Sequence, residues 1–257
     1  MMIKKIHGSQ AWILGSISLI GFLVVWEFFV RVLHIRPITL PPPSAVINEL
    51  LSEWAFYLDH AVYTLFTTLL GFILAVLIGV LLATMLVGSK RFEHTVYPLI
   101  IGLNSVPKVA IAPLFVIWLG TGSEPKIAIA FLISVFAVIV DAMHGLRSVP
   151  SDVLDLGRVL KGSKMDFFFK VRLPSALPSI LAGMKVAISL ALVGAIVGEF
   201  VASQQGLGYV ILSAQGTFDT PRVFAAVAIL SLMGLVLYGA VAWAEGYLTP
   251  WRTSDAK

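Results

Sequence analysis

The chain has 257 residues, of which 58% are hydrophobic and only 12% charged, with a mean hydropathy of +0.95 and a net charge of +4. A soluble domain carries about a quarter of its residues charged to cover its outside, so a water-soluble fold is excluded. Cysteine is absent, which removes disulfides, thiolate catalysis and cysteine-ligated metal or haem.

Six apolar stretches approach or exceed the roughly 20 residues of a membrane helix. They are Ala11–Val30, Ala61–Val87, Val96–Leu119, Lys126–Val140, Ile180–Val201 and Val223–Trp243, the fourth expected to extend past Asp141. Because such runs do not alternate polar with apolar, a membrane β-barrel is excluded and an all-α membrane protein of about six spans is expected. Lys4 and Lys5 precede the first run as they would in a signal peptide. That run ends in Phe28-Phe29-Val30-Arg31 without a small-residue cleavage site and is read as a retained span.

After it, residues 31–60 form a Pro-rich stretch, Arg36-Pro37-Ile38-Thr39-Leu40-Pro41-Pro42-Pro43-Ser44, and an amphipathic helix from Ala45 to about Leu58. Ser44 is placed to cap that helix, and Val46, Leu50, Trp54 and Leu58 recur at helical spacing. It is either a rest on the outer membrane interface or a plain connector. The third span is interrupted by Pro98, Pro107 and Pro113 and carries Asn104, Ser105 and Lys108. Polar groups at that depth are costly unless they face helices or a water-filled cavity, so this span is expected to point inward. The alternative is a kinked packing helix whose Lys108 reaches an interface.

Residues 144–178 form the longest loop between spans. Val153, Leu156 and Leu160 share one face of a helix that Gly162 breaks, and Ser163-Lys164-Met165-Asp166 is a capping box opening a second, short helix. Phe167, Phe168 and Phe169 follow, and Leu173-Pro174 with Pro178 are expected to end that helix. Such an elbow suits a docking knob for another protein, or else an interfacial hairpin on its own bundle. Orientation follows from the bases. With the N-terminus inside, twelve Lys and Arg fall in inner segments (Lys4, Lys5, Lys90, Arg91, Arg147, Arg158, Lys161, Lys164, Lys170, Arg172, Arg252, Lys257) and four in outer ones (Arg31, Arg36, Lys126, Arg222). Both termini are therefore expected in the cytoplasm. The pI of about 9.4 is accounted for by these bases beside the membrane, without nucleic acid as a partner.

The segment from Asp155-Leu156-Gly157-Arg158 through Gly162-Ser163 to Val171-Arg172-Leu173-Pro174 resembles the "EAA" loop of permease subunits of ATP-binding-cassette importers. Asp155 stands for the acid; Lys161 occupies the usual Gly position, with Gly162 one residue later. Pro107-Lys108-Val109-Ala110-Ile111-Ala112-Pro113 is similar to the third-span signature of the nitrate/sulfonate/taurine subfamily. Leu40-Pro41-Pro42-Pro43-Ser44 and Gly206-Leu207-Gly208-Tyr209 resemble two further motifs of that subfamily, so the likeness spans about Leu40 to Trp243.

The resemblance implies a single permease domain of the type I importer bundle, with a five-span core over 61–243 and a cytoplasmic tail over 244–257. It implies a homodimer, each copy clasping one ATPase subunit, with an extracytoplasmic solute-binding protein delivering the solute. Asp155, Arg158, Gly162, Phe167, Phe168, Leu173 and Pro174 would couple to the ATPase, and the chain itself would be no enzyme and carry no cofactor. No G-x-x-x-x-G-K-[ST] occurs, so ATP and Mg would be held by the partner.

For the pathway, Asn104, Ser105, Lys108 and Glu199 are the candidates, being polar or charged near spans. Glu199 could instead lie in outer-interface water, and Lys185 and Glu27 could snorkel. A small anion such as a sulfonate, taurine or nitrate is the expected solute, moved by alternating access across the inner membrane of a bacterium; a pyrimidine vitamin precursor is the alternative. A secondary transporter or channel would lack the elbow and usually shows paired repeats. An intramembrane enzyme fits poorly, because His7, His34, His60, His94 and His144 fall at or outside span ends.

Overall fold

A computed structural model describes residues 8–159 and 163–251. Among them the chain is helical: α1 (Gly8–Val32), α2 (Pro43–Ser52), α3 (Trp54–Gly88), α4 (Lys90–Ser105), α5 (Lys108–Leu119), α6 (Glu124–Arg147), α7 (Ser151–Val159), α8 (Lys164–Phe167), a π turn (Phe168–Arg172), α9 (Leu173–Ala202), α10 (Leu207–Gly216) and α11 (Thr220–Leu248). Five helices are long and apolar enough to cross a membrane, and α4 with α5 meets the same test only as a pair, bent by 95°.

The chain divides into two compact units, the first being Met1–Leu58 with Val210–Ala228. In it Glu27 joins α1 to α2: its carboxylate accepts from the Ser44 amide at 3.0 Å, the Ser44 hydroxyl at 2.7 Å and the Arg31 guanidinium at 2.6 Å. Ser44 is therefore a tie rather than the expected cap; the cap position falls to Pro42, whose extended backbone leads Pro43 into the first turn. The amphipathic helix ends at Ser52, not near Leu58. Glu53 leaves helical geometry there, and Trp54 already opens α3. Arg222 clasps this region from the start of α11, donating to Glu49 at 3.0 Å and lying over the Phe56 ring.

The second unit is Asp59–Tyr209 with Ile229–Lys257. Its centre is α6, gripped through small residues. A Cβ added to Gly145, Gly183, Gly194 or Gly198 would stand within 3 Å of Ser179 or Ala176, Asp141, Ala130 and Lys126 respectively. These contacts step by equal intervals in opposite directions along the two helices, the signature of straight antiparallel packing between α6 and α9. On the other side, Gly71 meets Ala130 and Gly79 meets Val138, stepping in the same direction, so α3 and α6 are parallel. Ala130 thus lies between the two glycines. A chain that leaves α3 and re-enters alongside it must first return, and α4 with α5 is the segment available to make that crossing.

Expectations for four prolines change. Pro98 and Pro113 sit inside α4 and α5, and the bend is confined to Val106–Pro107. Leu173, Pro174 and Pro178 do not end the short helix after Ser163; the chain stays helical from Lys164 to Ala202. For Pro174 the widened turn is the reason. The Leu173 amide bonds five residues back to Phe168, which moves the backbone off the carbonyl that the Pro174 ring would strike. Ser163 does open this helix, its hydroxyl accepting from the Met165 amide at 3.2 Å.

Candidate translocation site

A cavity of about 390 Å³ opens between α4, α5, α6 and α9. Ile133, Phe136, Ala137, Val140 and Asp141 recur along one face of α6 and form one wall, with Asn104, Lys108 and Leu190 closing it. The bend at Val106–Pro107 places the last turn of α4 beside the first of α5. Lys108 accordingly reaches back, donating to the Asn104 side chain at 2.7 Å and its carbonyl at 3.1 Å, while its ammonium lies 4.8 Å from the centre of the Phe136 ring. A face of the Phe ring is electron-rich and holds a cation without neutralising it.

Three of the four expected pathway residues fall in this region. Asn104 and Lys108 line the cavity; Ser105 is exposed and donates to Ile101 in its own helix. The expectation that this span points inward is only partly met, because α4 buries no residue within the single chain. Asp141, in the second half of α6, was not among the expected pathway residues, although an acid inside an apolar run is the signal that could have marked it.

Glu199 lies elsewhere. It is 1% exposed, and its two oxygens accept from the Thr64 hydroxyl at 2.8 Å and the Gly208 amide at 2.7 Å. The Thr64 oxygen in turn accepts from the Leu207 amide at 2.9 Å, and His60 Nδ1 accepts from the Gly206 amide at 3.0 Å. Three successive amides at the start of α10 are thereby satisfied from α3 and α9, around Gly206 in the left-handed region at φ +99°. Lys185, expected to snorkel, pairs instead with Glu245 of α11 at 2.6 Å.

Of the expected coupling residues, Gly162 and the Arg158 side chain lie outside the described residues. Asp155 is exposed on α7. Phe168 and Leu173 pack against the core built by Leu86, Met143, Leu146 and Ala176, and Phe167 and Pro174 are half-buried. Among the described residues of the 144–178 loop the exposed large apolar groups are Val153, Val159, Met165 and Phe169, of which only Phe169 belonged to the expected aromatic cluster.

Comparison with known proteins gives this arrangement a family. Residues 75–249 match the profile of the binding-protein-dependent transport system inner membrane component. The chain belongs to this family. It is the non-catalytic transmembrane permease of an ATP-binding-cassette importer. The permease is 35% identical over 232 residues to the formylaminopyrimidine transport permease protein ThiX of Halalkalibacterium halodurans, covering 90% of this chain and 92% of that one. To the putative aliphatic sulfonates transport permease protein SsuC of Bacillus subtilis it is 29% identical, over 95% and 89% of the two chains. Its fold is that of a chain of the MetNI methionine transporter in an inward-facing form, with TM-score 0.67 at 17% identity, covering 76% of the permease and 97% of that chain.

Proposed function

We propose that this permease imports a small amino-bearing heterocycle of the aminopyrimidine class by alternating access, with the α4–α5–α6–α9 cavity on its path. The observation that carries this reading is the lining of that cavity by both a cation and a carboxylate, Lys108 and Asp141, with an aromatic ring, Phe136. A planar solute with an amino donor and a carbonyl or ring-nitrogen acceptor uses all three: Asp141 accepts, Lys108 and Asn104 donate, Phe136 stacks. The 35% identity to a formylaminopyrimidine permease supports the same class.

A sulfonate-type anion such as taurine is the second reading, favoured by Lys108 and by the relative named for sulfonates. Reconstitution with the cognate ATPase and binding protein separates the two. Formylaminopyrimidine uptake that competes with unlabelled aminopyrimidines and not with taurine supports the first reading; the reverse overturns it. Lys108→Ala should lower uptake of either solute at least about tenfold, and unchanged uptake removes Lys108 from the path.

The assembly proposed is a homodimer with both termini in the cytoplasm, each copy held to an ATPase through the segment from Asp155 to Pro174. Asp155 and Arg158 supply rim charge, Gly162 the bend, Phe167 an anchor, and Phe168 with Leu173 and Pro174 transmit movement into α9. The excess of Lys and Arg on the assigned inner segments supports this orientation. Exposed Val159, Met165 and Phe169 supply apolar contact.

A further inference from the structure

Among the described residues Lys126 is the largest fully buried side chain, and it is charged. Its ammonium has three protons and three acceptors: the carbonyls of Thr121 and Gly122 at 2.7 Å each and of Ala202 at 2.5 Å. The first two belong to the turn joining α5 to α6; the third ends α9, 76 positions on, where the helix dipole is negative. The stem of Lys126 lies directly on Gly198, next to Glu199, whose own bonds secure the start of α10. Immediately before the pinned turn, Gly120 stands at φ +84° and ψ −166°, a conformation open essentially to glycine alone.

We propose that Lys126 is a positioning residue for the access change: it pins the outer end of α5 to the outer end of α9, leaving the Val106–Pro107 bend as the place where α5 moves. One end of α5 is tied through Gly120 to a saturated carbonyl cage. Its other end is a proline break with no side-chain cap. Movement delivered to α9 from the cytoplasmic side then turns α5 about a fixed outer pivot and displaces Asn104 and Lys108, which flank the break. Without the pin, α5 follows passively and ATP is spent without moving solute.

The inference rests on the importer assignment and on the cavity as path, but not on which solute is carried. It is tested in the complete transporter, reconstituted with its ATPase and binding protein. The chain is free of cysteine, so Ser123→Cys and Gln204→Cys, both on the basin above the pin, can be spin-labelled together. In the otherwise unaltered chain, their separation should stay within about 3 Å between nucleotide-free and ATP-bound states. A larger change overturns the proposal whatever solute is used, and needs no further variant.

Lys126→Met should broaden that distance and raise ATP consumed per solute at least about fivefold, while Lys126→Arg, which keeps the donors, should recover part of the coupling. Bridging the same two cysteines with a short bifunctional reagent in Lys126→Met should restore the ratio. A merely structural role would lower hydrolysis and uptake together and leave the ratio unmoved, and that result too overturns the pivot. If the unaltered transporter carries neither solute named above, the substrate reading fails while the distance measurement still stands.

Discussion

Thr64 and Glu199 are 135 positions apart in sequence and 2.8 Å apart in the fold, the hydroxyl donating to the carboxylate while its oxygen takes the Leu207 amide. One hydroxyl thus serves two buried partners. Thr64→Val keeps the shape and strands both, which should cost about 2–3 kcal/mol. Thermal unfolding in detergent should show the loss in Thr64→Val and little change in Thr64→Ser.

The α6–α9 seam predicts a sharp difference among glycines. A Cβ on Gly194 would stand 2.6 Å from the Ala130 Cα, a backbone atom that cannot step aside, whereas one on Gly239 meets nothing within 4 Å. Gly194→Leu should therefore lose at least about 3 kcal/mol through overpacking, seen as aggregation on fluorescence-detected gel filtration. Gly239→Ala should be neutral or slightly stabilising in the same assay.

The seam was not read from the sequence, although Gly183, Ala187, Ala191 and Ala195 repeat at helical spacing within an apolar run. Five of the expected spans matched, and the third is met by the bent α4–α5 pair, because hydropathy and backbone satisfaction act locally. What sequence could not give was partnership. Glu199 reads as a polar residue near a span end until Thr64 and Gly208 are beside it, and Asp141 reads as one acid in the extension of a span until Asn104 and Lys108 share a cavity with it. The prolines misled for a physical reason: a π turn at Phe168–Arg172 absorbs Pro174, and only Pro107 coincides with a real bend.

Lys185 and Glu245 couple α9 to α11 at 2.6 Å with roughly a fifth of each side chain exposed. Removing one charge leaves the other in a poorly solvated site. Lys185→Met should destabilise by about 2 kcal/mol, below the 3–5 typical of a fully buried pair because of the residual exposure. The double variant Lys185→Met with Glu245→Leu should recover most of that loss, as a double-mutant cycle in detergent unfolding would measure.

Phe168 and Phe169 touch at 5.2 Å between ring centres yet face different surroundings, Phe168 against the core and Phe169 56% exposed. Phe168→Ala should destabilise the permease by about 2 kcal/mol through lost packing. Phe169→Ala should leave unfolding unchanged and weaken capture of the cognate ATPase about tenfold. Equal effects of both on stability would place Phe169 in the bundle instead.

The parallel alignment of α3 with α6 has a consequence for how the permease is made. As the ribosome delivers the chain, α3 enters the bilayer with its neighbour still unsynthesised, and it must wait there through the whole of the bent pair. A segment so exposed has to be at home in lipid by itself. It carries the highest mean hydropathy of the five spans, 2.8, and the Thr67 hydroxyl donates to carbonyls of its own helix, so this polar group needs no later arrival to be satisfied.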